Sequence, residues 1–157
     1  MTKPVVLLVE DNPDDSFMTQ RAFELGHVPA TITIAHDGIE ALQLLLPPDR
    51  KPQLHPAFVL LDLTLPDLSG QEVLRALRGD PSTRSLPVII LTSSLNARDR
   101  MTSYANGANA FIRKPQVFQQ FTATVRQLGE TWLPSPKPMI AGSARKAGLL
   151  LDFSERN

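Results

Sequence analysis

Cysteine is absent from the 157-residue chain, which excludes disulfide bonds, thiolate nucleophiles and cysteine-ligated zinc sites. Neither sign of charge is in excess, because sixteen Lys and Arg residues balance sixteen Asp and Glu residues, so no global field favours nucleic acid or acidic lipid. No apolar run approaches the roughly 18 residues of a membrane span, and the N-terminus lacks a signal-peptide pattern. We therefore expect a cytoplasmic protein without nucleic-acid or membrane partners.

Apolar runs alternate with amphipathic segments five times along the chain. The apolar runs predict strands at residues 5–9, 31–34, 57–61, 87–91 and 109–113. The other segments predict helices at residues 13–25, 38–46, 69–79, 96 or 99 to 107, and 116–133. In the second helix, Ile39 is expected to face the core. Because continuous apolar strands are buried on both faces, the pattern predicts an α/β fold with a doubly wound five-stranded parallel sheet.

Polar residues stand where four of these strands end: Glu10, Asp11, Asp62, Thr92 and Lys114. Because the carboxyl ends of parallel strands share one edge, these side chains are expected to meet there. Two like charges 4 Å apart cost about 4 kcal/mol at an effective dielectric of 20, so three carboxylates require a proton or a cation among them. Mg²⁺ suits such oxygens, and an ammonium with a hydroxyl suits phosphoryl oxygens. The set predicts that Asp62 is a nucleophile in phosphoryl transfer.

Four motifs together resemble the receiver domain of two-component response regulators: Val9-Glu10-Asp11-Asn12, Leu61-Asp62-Leu63-Thr64-Leu65-Pro66 with Ser69-Gly70, Leu91-Thr92-Ser93-Ser94, and Lys114-Pro115. The resemblance covers residues 3–130 and implies a flavodoxin-like (βα)5 fold. It also implies that Asp62 takes phosphate from a histidine kinase. By this resemblance the chain is a signalling module and not an enzyme.

The same resemblance implies a Mg²⁺ site. The side chains of Asp11 and Asp62 and the backbone carbonyl of Thr64 would bind the ion, and Glu10 would act through a water molecule. The acidic pair is Glu-Asp here, where the family often has Asp-Asp.

The resemblance further implies a phosphoryl-binding pair and a switch. Lys114 and Thr92 would bind phosphoryl oxygens, and Phe111 occupies the family's aromatic switch position, where it would turn inward as Thr92 moves. Phe111 lacks a phenolic hydroxyl, so its switch would act through packing alone, and a simple core aromatic remains the alternative. The Lys114–Pro115 peptide bond is expected to be cis.

A narrower resemblance is to regulators that partner bacterial phytochromes. It depends on the motif Asp11-Asn12-Pro13-Asp14-Asp15, on Tyr104-Ala105-Asn106-Gly107-Ala108-Asn109, and on the ending from Phe121 to Trp132-Leu133. It implies a single receiver without an output domain, a phytochrome histidine kinase as partner, and a homodimer. Residues 131–157 would form an extended C-terminal tail and a possible dimerisation arm, while docking on its own domain or disorder are the alternatives.

Two other functions compete with a phosphorylated receiver. A hydrolase that uses an aspartyl-phosphate would also place an Asp after a strand beside Mg²⁺, but such enzymes pair the nucleophile with a second acid two residues later, where this chain has Thr64. An unphosphorylated scaffold receiver is the other alternative. The intact strand-end set argues against it.

Overall fold

The computed structural model describes residues 3–134 of the chain. The strands are β1 (Val5–Val9), β2 (Thr31–Ala35), β3 (Phe58–Leu61), β4 (Val88–Thr92) and β5 (Ala110–Arg113). The helices are α1 (Pro13–Leu25), α2 (Gly38–Leu45), α3 (Gly70–Gly79), α4 (Ala97–Ala105) and α5 (Phe118–Trp132). Strands and helices alternate as the sequence predicts. Within residues 3–134, no helix is long and apolar enough to cross a membrane.

All five strands lie parallel in one sheet with the order β2-β1-β3-β4-β5. One face packs against α1 and α5 through a cluster that includes Phe23, Phe58 and Val125. The opposite face packs against α2 and α3 through a cluster that includes Leu45, Val59 and Leu74. Helices on both faces explain why the inner strands are uninterrupted apolar runs. The predicted doubly wound sheet is confirmed.

Side-chain caps fix where several helices begin, and one of them shapes the functional edge. The Oδ1 atom of Asn12 accepts hydrogen bonds from the backbone N–H groups of Asp14 and Asp15, at 2.8 and 3.1 Å. Pro13 occupies the first helical position, where its missing N–H costs nothing. The first turn of α1 is therefore held directly after β1, beside the carboxyl ends of the strands.

One predicted feature differs from the structure. Ile39 is 49% exposed, because Gly38, Ala41 and Leu45 form the buried face of α2 and Ile39 lies about a third of a turn away from its centre. Helix α5 continues to Trp132, and Leu133 packs against the core, so the first residues of the predicted tail pack with the receiver. The rest of the predicted tail and arm, residues 135–157, lies outside the described residues.

Candidate functional site

The register of the strands brings the strand-end residues to one edge. Val9 of β1 pairs with Leu61 of β3, so Glu10 and Asp62 emerge side by side. On the other side, the backbone N–H of Lys114 donates to the Thr92 carbonyl at 2.7 Å, which places these two residues next to each other. Neighbouring parallel strands thus deliver groups that are far apart in the chain to a single pocket.

The centre of the pocket is the ammonium group of Lys114. Its Nζ atom donates to Glu10 Oε1 at 2.6 Å, to Asp15 Oδ2 at 2.8 Å and to Asp62 Oδ2 at 2.9 Å. The Lys114 side chain is only 9% exposed, and an ammonium has three donors, so each donor has a carboxylate partner. The charge repulsion expected among the carboxylates is therefore offset by a buried cation of the chain itself.

Asp15 is a site residue that the sequence analysis missed. A carboxylate in the first turn of a helix is stabilised by the helix dipole, and that local reason already accounts for its position. In the structure it also contacts Lys114, which lies 99 residues away in the chain. The sequence did offer one indication, because Asp15 lies in the turn that directly follows the acidic pair at the end of β1.

Burial and charge shift the protonation of the pocket. Burial raises the pKa of Glu10 to about 7, since the side chain is 2% exposed, and the charge of Asp62 adds to the rise while the hydrogen bond from Lys114 opposes it. For Lys114, burial alone would lower the pKa. The hydrogen bonds to Asp15, Glu10 and Asp62 outweigh burial and raise the pKa of Lys114 above its usual range. Lys114 is therefore charged at neutral pH, whereas Glu10 titrates near neutrality.

Three carboxylates of the pocket fit a hard divalent cation. One oxygen each of Glu10, Asp11 and Asp62 lies within 4.8 Å of the others, and Asp11 is the exposed member that faces solvent. Thr64 lies in the loop that follows β3 and Asp62, and its backbone N–H donates to Asp62 Oδ1 at 3.2 Å. Carboxylate oxygens gathered in this way are the ligands that Mg²⁺ prefers.

The residues expected to form the switch lie beside this pocket. Thr92 is 1% exposed, and its Oγ1 atom accepts a hydrogen bond from the Ser94 backbone N–H at 3.3 Å. Phe111 is buried in the cluster on the α2–α3 face of the sheet, so in this structure its ring is already turned inward. Its backbone N–H donates to the Tyr104 hydroxyl of α4 at 3.1 Å.

The expected cis bond between Lys114 and Pro115 is wrong for this structure, in which every peptide bond of residues 3–134 is trans. The trans form of an X–Pro bond is intrinsically favoured by about 0.5–1 kcal/mol. With the trans bond in place, the Lys114 ammonium still reaches its three carboxylate partners, so the pocket forms without the cis isomer.

Comparison with known proteins decides the family. Residues 6–126 match the model of the response regulator receiver domain. The chain belongs to this family. The resemblance drawn from the sequence motifs is confirmed. Receiver domains are signalling modules that partner with sensor histidine kinases.

Known relatives of this receiver include two regulators that match most of its length. It is 36% identical over 129 residues to the probable methanogenesis regulatory protein FilR2 of Methanothrix harundinacea, which covers 82% of this chain and 83% of that protein. It is 31% identical over 130 residues to the response regulator Rcp1 of Synechocystis sp., which covers 82% and 88% respectively.

Solved structures similar to the receiver include two phytochrome-related regulators. The phosphorylated cyanobacterial phytochrome response regulator RcpA matches with a TM-score of 0.74 and 32% identity, over 86% of this chain and 97% of that chain. The Mn²⁺-bound form of Rcp1 matches with a TM-score of 0.72 and 28% identity, over 87% and 99%. The likeness to phytochrome response regulators, which the narrower sequence resemblance predicted, is confirmed.

A close backbone approach holds the loop that carries Asp62 against the start of α3. A Cβ atom added to Gly70, the first residue of α3, would lie 2.4 Å from the Asp62 carbonyl oxygen and 2.7 Å from the Leu63 Cα atom. The Gly70 N–H also donates to the Leu63 carbonyl at 2.9 Å. Only glycine allows α3 to begin this close to the backbone of Asp62.

Proposed function

We propose that this receiver accepts a phosphoryl group from a sensor histidine kinase onto Asp62 in a Mg²⁺-dependent reaction, and that it signals through protein contacts. One observation carries the proposal: the Asp62 carboxylate lies 2.9 Å from the buried Lys114 ammonium and belongs to a cluster of three carboxylates. An acceptor oxygen, a fixed positive charge and oxygen ligands for a cation are the parts that phosphoryl transfer to a carboxylate requires.

In the proposed transfer, one carboxylate oxygen of Asp62 attacks the phosphorus of a phosphohistidine. The new O–P bond forms as the donor's P–N bond breaks, and the departing imidazole nitrogen keeps the electron pair. Lys114 stands beside Asp62 Oδ2 and can stabilise negative charge on the phosphoryl oxygens, as expected of a charge-assisted donor. The product is an acyl phosphate on Asp62.

Glu10, Asp11 and Asp62 are the side chains that would hold Mg²⁺, with Glu10 acting through water and the Thr64 backbone carbonyl as a further ligand. The bound ion would supply Lewis-acid stabilisation of phosphoryl charge. The existence of a Mn²⁺-bound form of the related Rcp1 supports a divalent cation in this part of the family.

Thr92 is the proposed link between phosphorylation and the surface. Its hydroxyl oxygen accepts a long hydrogen bond from the Ser94 N–H, so the hydroxyl hydrogen can be donated to a phosphoryl oxygen. A turn of Thr92 toward Asp62 would break that bond and release the start of the β4–α4 connection. Because Phe111 is already buried, the proposed response is a repacking around its ring and not an inward swing.

Two partners are part of the proposal, a kinase and a second copy of the chain. We propose a phytochrome-type histidine kinase as the phosphate source, and the supporting observation is the similarity to RcpA and Rcp1. A homodimer is part of the proposal, with the chain beyond α5, residues 135–157, as its arm, and the apolar residues 149–151 and 153 of that segment support it. The homodimer and the phytochrome-type kinase are independent of the transfer reaction, so either could be refuted while Asp62 still accepts a phosphoryl group.

The transfer is tested by incubating the protein with Mg²⁺ and acetyl phosphate, followed by intact mass measurement and a phosphate-affinity gel. The wild type is expected to gain one phosphoryl group, and Asp62→Asn is expected to gain none because the amide cannot form the acyl phosphate. Asp67→Asn is the matched control, since Asp67 is an exposed acid of the same loop whose carboxylate binds the N–H groups of Gly38 and Ile39 instead of Lys114.

Two results would contradict the assignment. Labelling of Asp62→Asn at the same site would show that another residue is the acceptor. A wild type that stays unlabelled by acetyl phosphate and by candidate phytochrome kinases would favour the scaffold function instead.

A further inference from the structure

The partners of the Lys114 ammonium are not equivalent. Asp62 is the proposed phosphoryl acceptor, and Glu10 belongs to the carboxylate cluster that would hold the cation. Asp15 belongs to neither, although its oxygen lies 2.8 Å from Nζ. The family assignment and the predicted ligand set leave this third bond without a role.

Asp15 is held firmly enough to act as a fixed point. Its backbone N–H donates to the Asn12 side chain at 3.1 Å, and its carbonyl accepts from the Thr19 hydroxyl at 2.8 Å. These bonds fix the first turn of α1, and so they fix the Cα position from which the carboxylate reaches Lys114. The Asp15 side chain is 40% exposed, so it stands at the mouth of the pocket, whereas the Lys114 side chain is buried.

Phosphorylation changes the bonds of Lys114 unequally. When Asp62 becomes an acyl phosphate, the donor that now binds its carboxylate is expected to bind a phosphoryl oxygen. Glu10 would at the same time turn toward the hydrated cation. Of the three bonds, only the one to Asp15 can persist unchanged through the reaction.

Resting on the proposed phosphoryl transfer, we propose that Asp15 is a positioning residue that keeps the Lys114 ammonium directed at the phosphoryl group on Asp62. Without the Asp15 carboxylate, water takes its place at the mouth of the pocket. The ammonium would then lose the one carboxylate partner that takes no part in the reaction, and its contact with the phosphoryl oxygen would weaken. Asp15 acts through Lys114 and does not touch the reacting atoms.

The probe for this role is beryllium fluoride, which binds a carboxylate beside Mg²⁺ as a stable mimic of the phosphoryl group. Fluorine NMR of the complex is expected to resolve three fluorines, because each has different neighbours. The fluorine that faces Lys114 is identified by its loss or shift in Lys114→Ala. Titration of beryllium fluoride gives the affinity of each variant under the same conditions.

The expected result is specific to one side chain and one fluorine. Asp15→Ala is expected to shift the Lys114-facing resonance, to leave the Thr92-facing resonance in place, and to weaken beryllium fluoride binding about tenfold. Asp15→Asn retains an oxygen that can accept from Lys114 and is expected to restore most of the spectrum. Asp14→Ala is the matched control, since Asp14 is the neighbouring first-turn acid and its side chain makes no ion pair within residues 3–134.

The outcomes separate the two proposals. A wild type that binds no beryllium fluoride with Mg²⁺ overturns the proposed function and this inference with it. A wild type that binds, together with an Asp15→Ala spectrum and affinity equal to wild type, overturns the role of Asp15 alone. An equal loss in Asp14→Ala also overturns it, because the effect would then come from net charge. Should Asp15→Ala fold poorly by circular dichroism, Asp15→Leu is measured instead, because leucine has a similar volume and no acceptor oxygen. An unshifted Lys114-facing fluorine and wild-type affinity in Asp15→Leu would overturn the role of Asp15.

Discussion

Replacing Gly70 with alanine would force a methyl group against the backbone of Asp62, the proposed acceptor residue. The added Cβ would lie 2.4 Å from the Asp62 carbonyl oxygen, 2.7 Å from the Leu63 Cα and 3.1 Å from the Asp62 carbonyl carbon. All three are backbone atoms, so no flexible side chain can move aside. Either the start of α3 or the loop that carries Asp62 has to shift.

The expected cost follows from overpacking in a rigid environment. Such insertions destabilise proteins by about 1–3 kcal/mol, and the better helix propensity of alanine returns at most about 1 kcal/mol. We therefore expect Gly70→Ala to lower the free energy of unfolding by about 1–2 kcal/mol. Because the clash falls on Asp62 itself, the rate of labelling by acetyl phosphate is expected to fall as well.

Gly79, at the other end of α3, provides the control. Apart from the adjacent residues and the helix's own backbone, no atom lies within 4 Å of a Cβ added there, so Gly79→Ala is expected to be neutral or slightly stabilising and to leave labelling unchanged. Urea denaturation gives the stability of both variants, and mass measurement over time gives the labelling rates. If Gly70→Ala matched Gly79→Ala in both measurements, the close approach would not constrain the loop that carries Asp62.

Two further predictions concern charge in the pocket. In Mg²⁺-free buffer, the raised pKa of Glu10 contributes to the stability of the fold at pH values below 4.5, the usual pKa of the group. This contribution is about 3 kcal/mol at most, and it is lost as the pH rises to about 7. Glu10→Gln should flatten that part of the pH–stability curve, and an unchanged slope would contradict the shift. Added Mg²⁺ should stabilise the wild type by about 2.7 kcal/mol at a hundredfold excess over Kd, and its melting temperature should rise accordingly. In Asp11→Asn the increase should largely disappear, and a full increase would remove Asp11 from the ligand set.

The sequence was sufficient for the parts of the site that depend on strand order. Asp62, Thr92 and Lys114 each directly follow or end an apolar strand, and a parallel sheet leaves one edge for all of them. Helix starts were also predictable, because Asn12 and Ser69 carry local capping chemistry.

Features that depend on tertiary packing were not predictable in the same way. The Asp15–Lys114 bond joins residues whose local roles were already explained, so nothing in either segment indicated the other. Ile39 fits an apolar helix pattern but lies beside the buried face of α2. Only the packing of α2 against the sheet shows which of its apolar residues are buried and which are exposed. The isomer of the Lys114–Pro115 bond depends on loop geometry that the motif alone did not specify.

The backbone of Phe111 is hydrogen-bonded to a side chain of the neighbouring helix α4. The hydroxyl of Tyr104 in α4 accepts a hydrogen bond from the Phe111 backbone N–H, so the helix is bonded to β5, an edge strand of the sheet. A movement of α4 along β5 would have to break this hydrogen bond or move the strand as well. If phosphorylation displaces α4, we therefore expect β5 to be displaced with it as long as this hydrogen bond is kept.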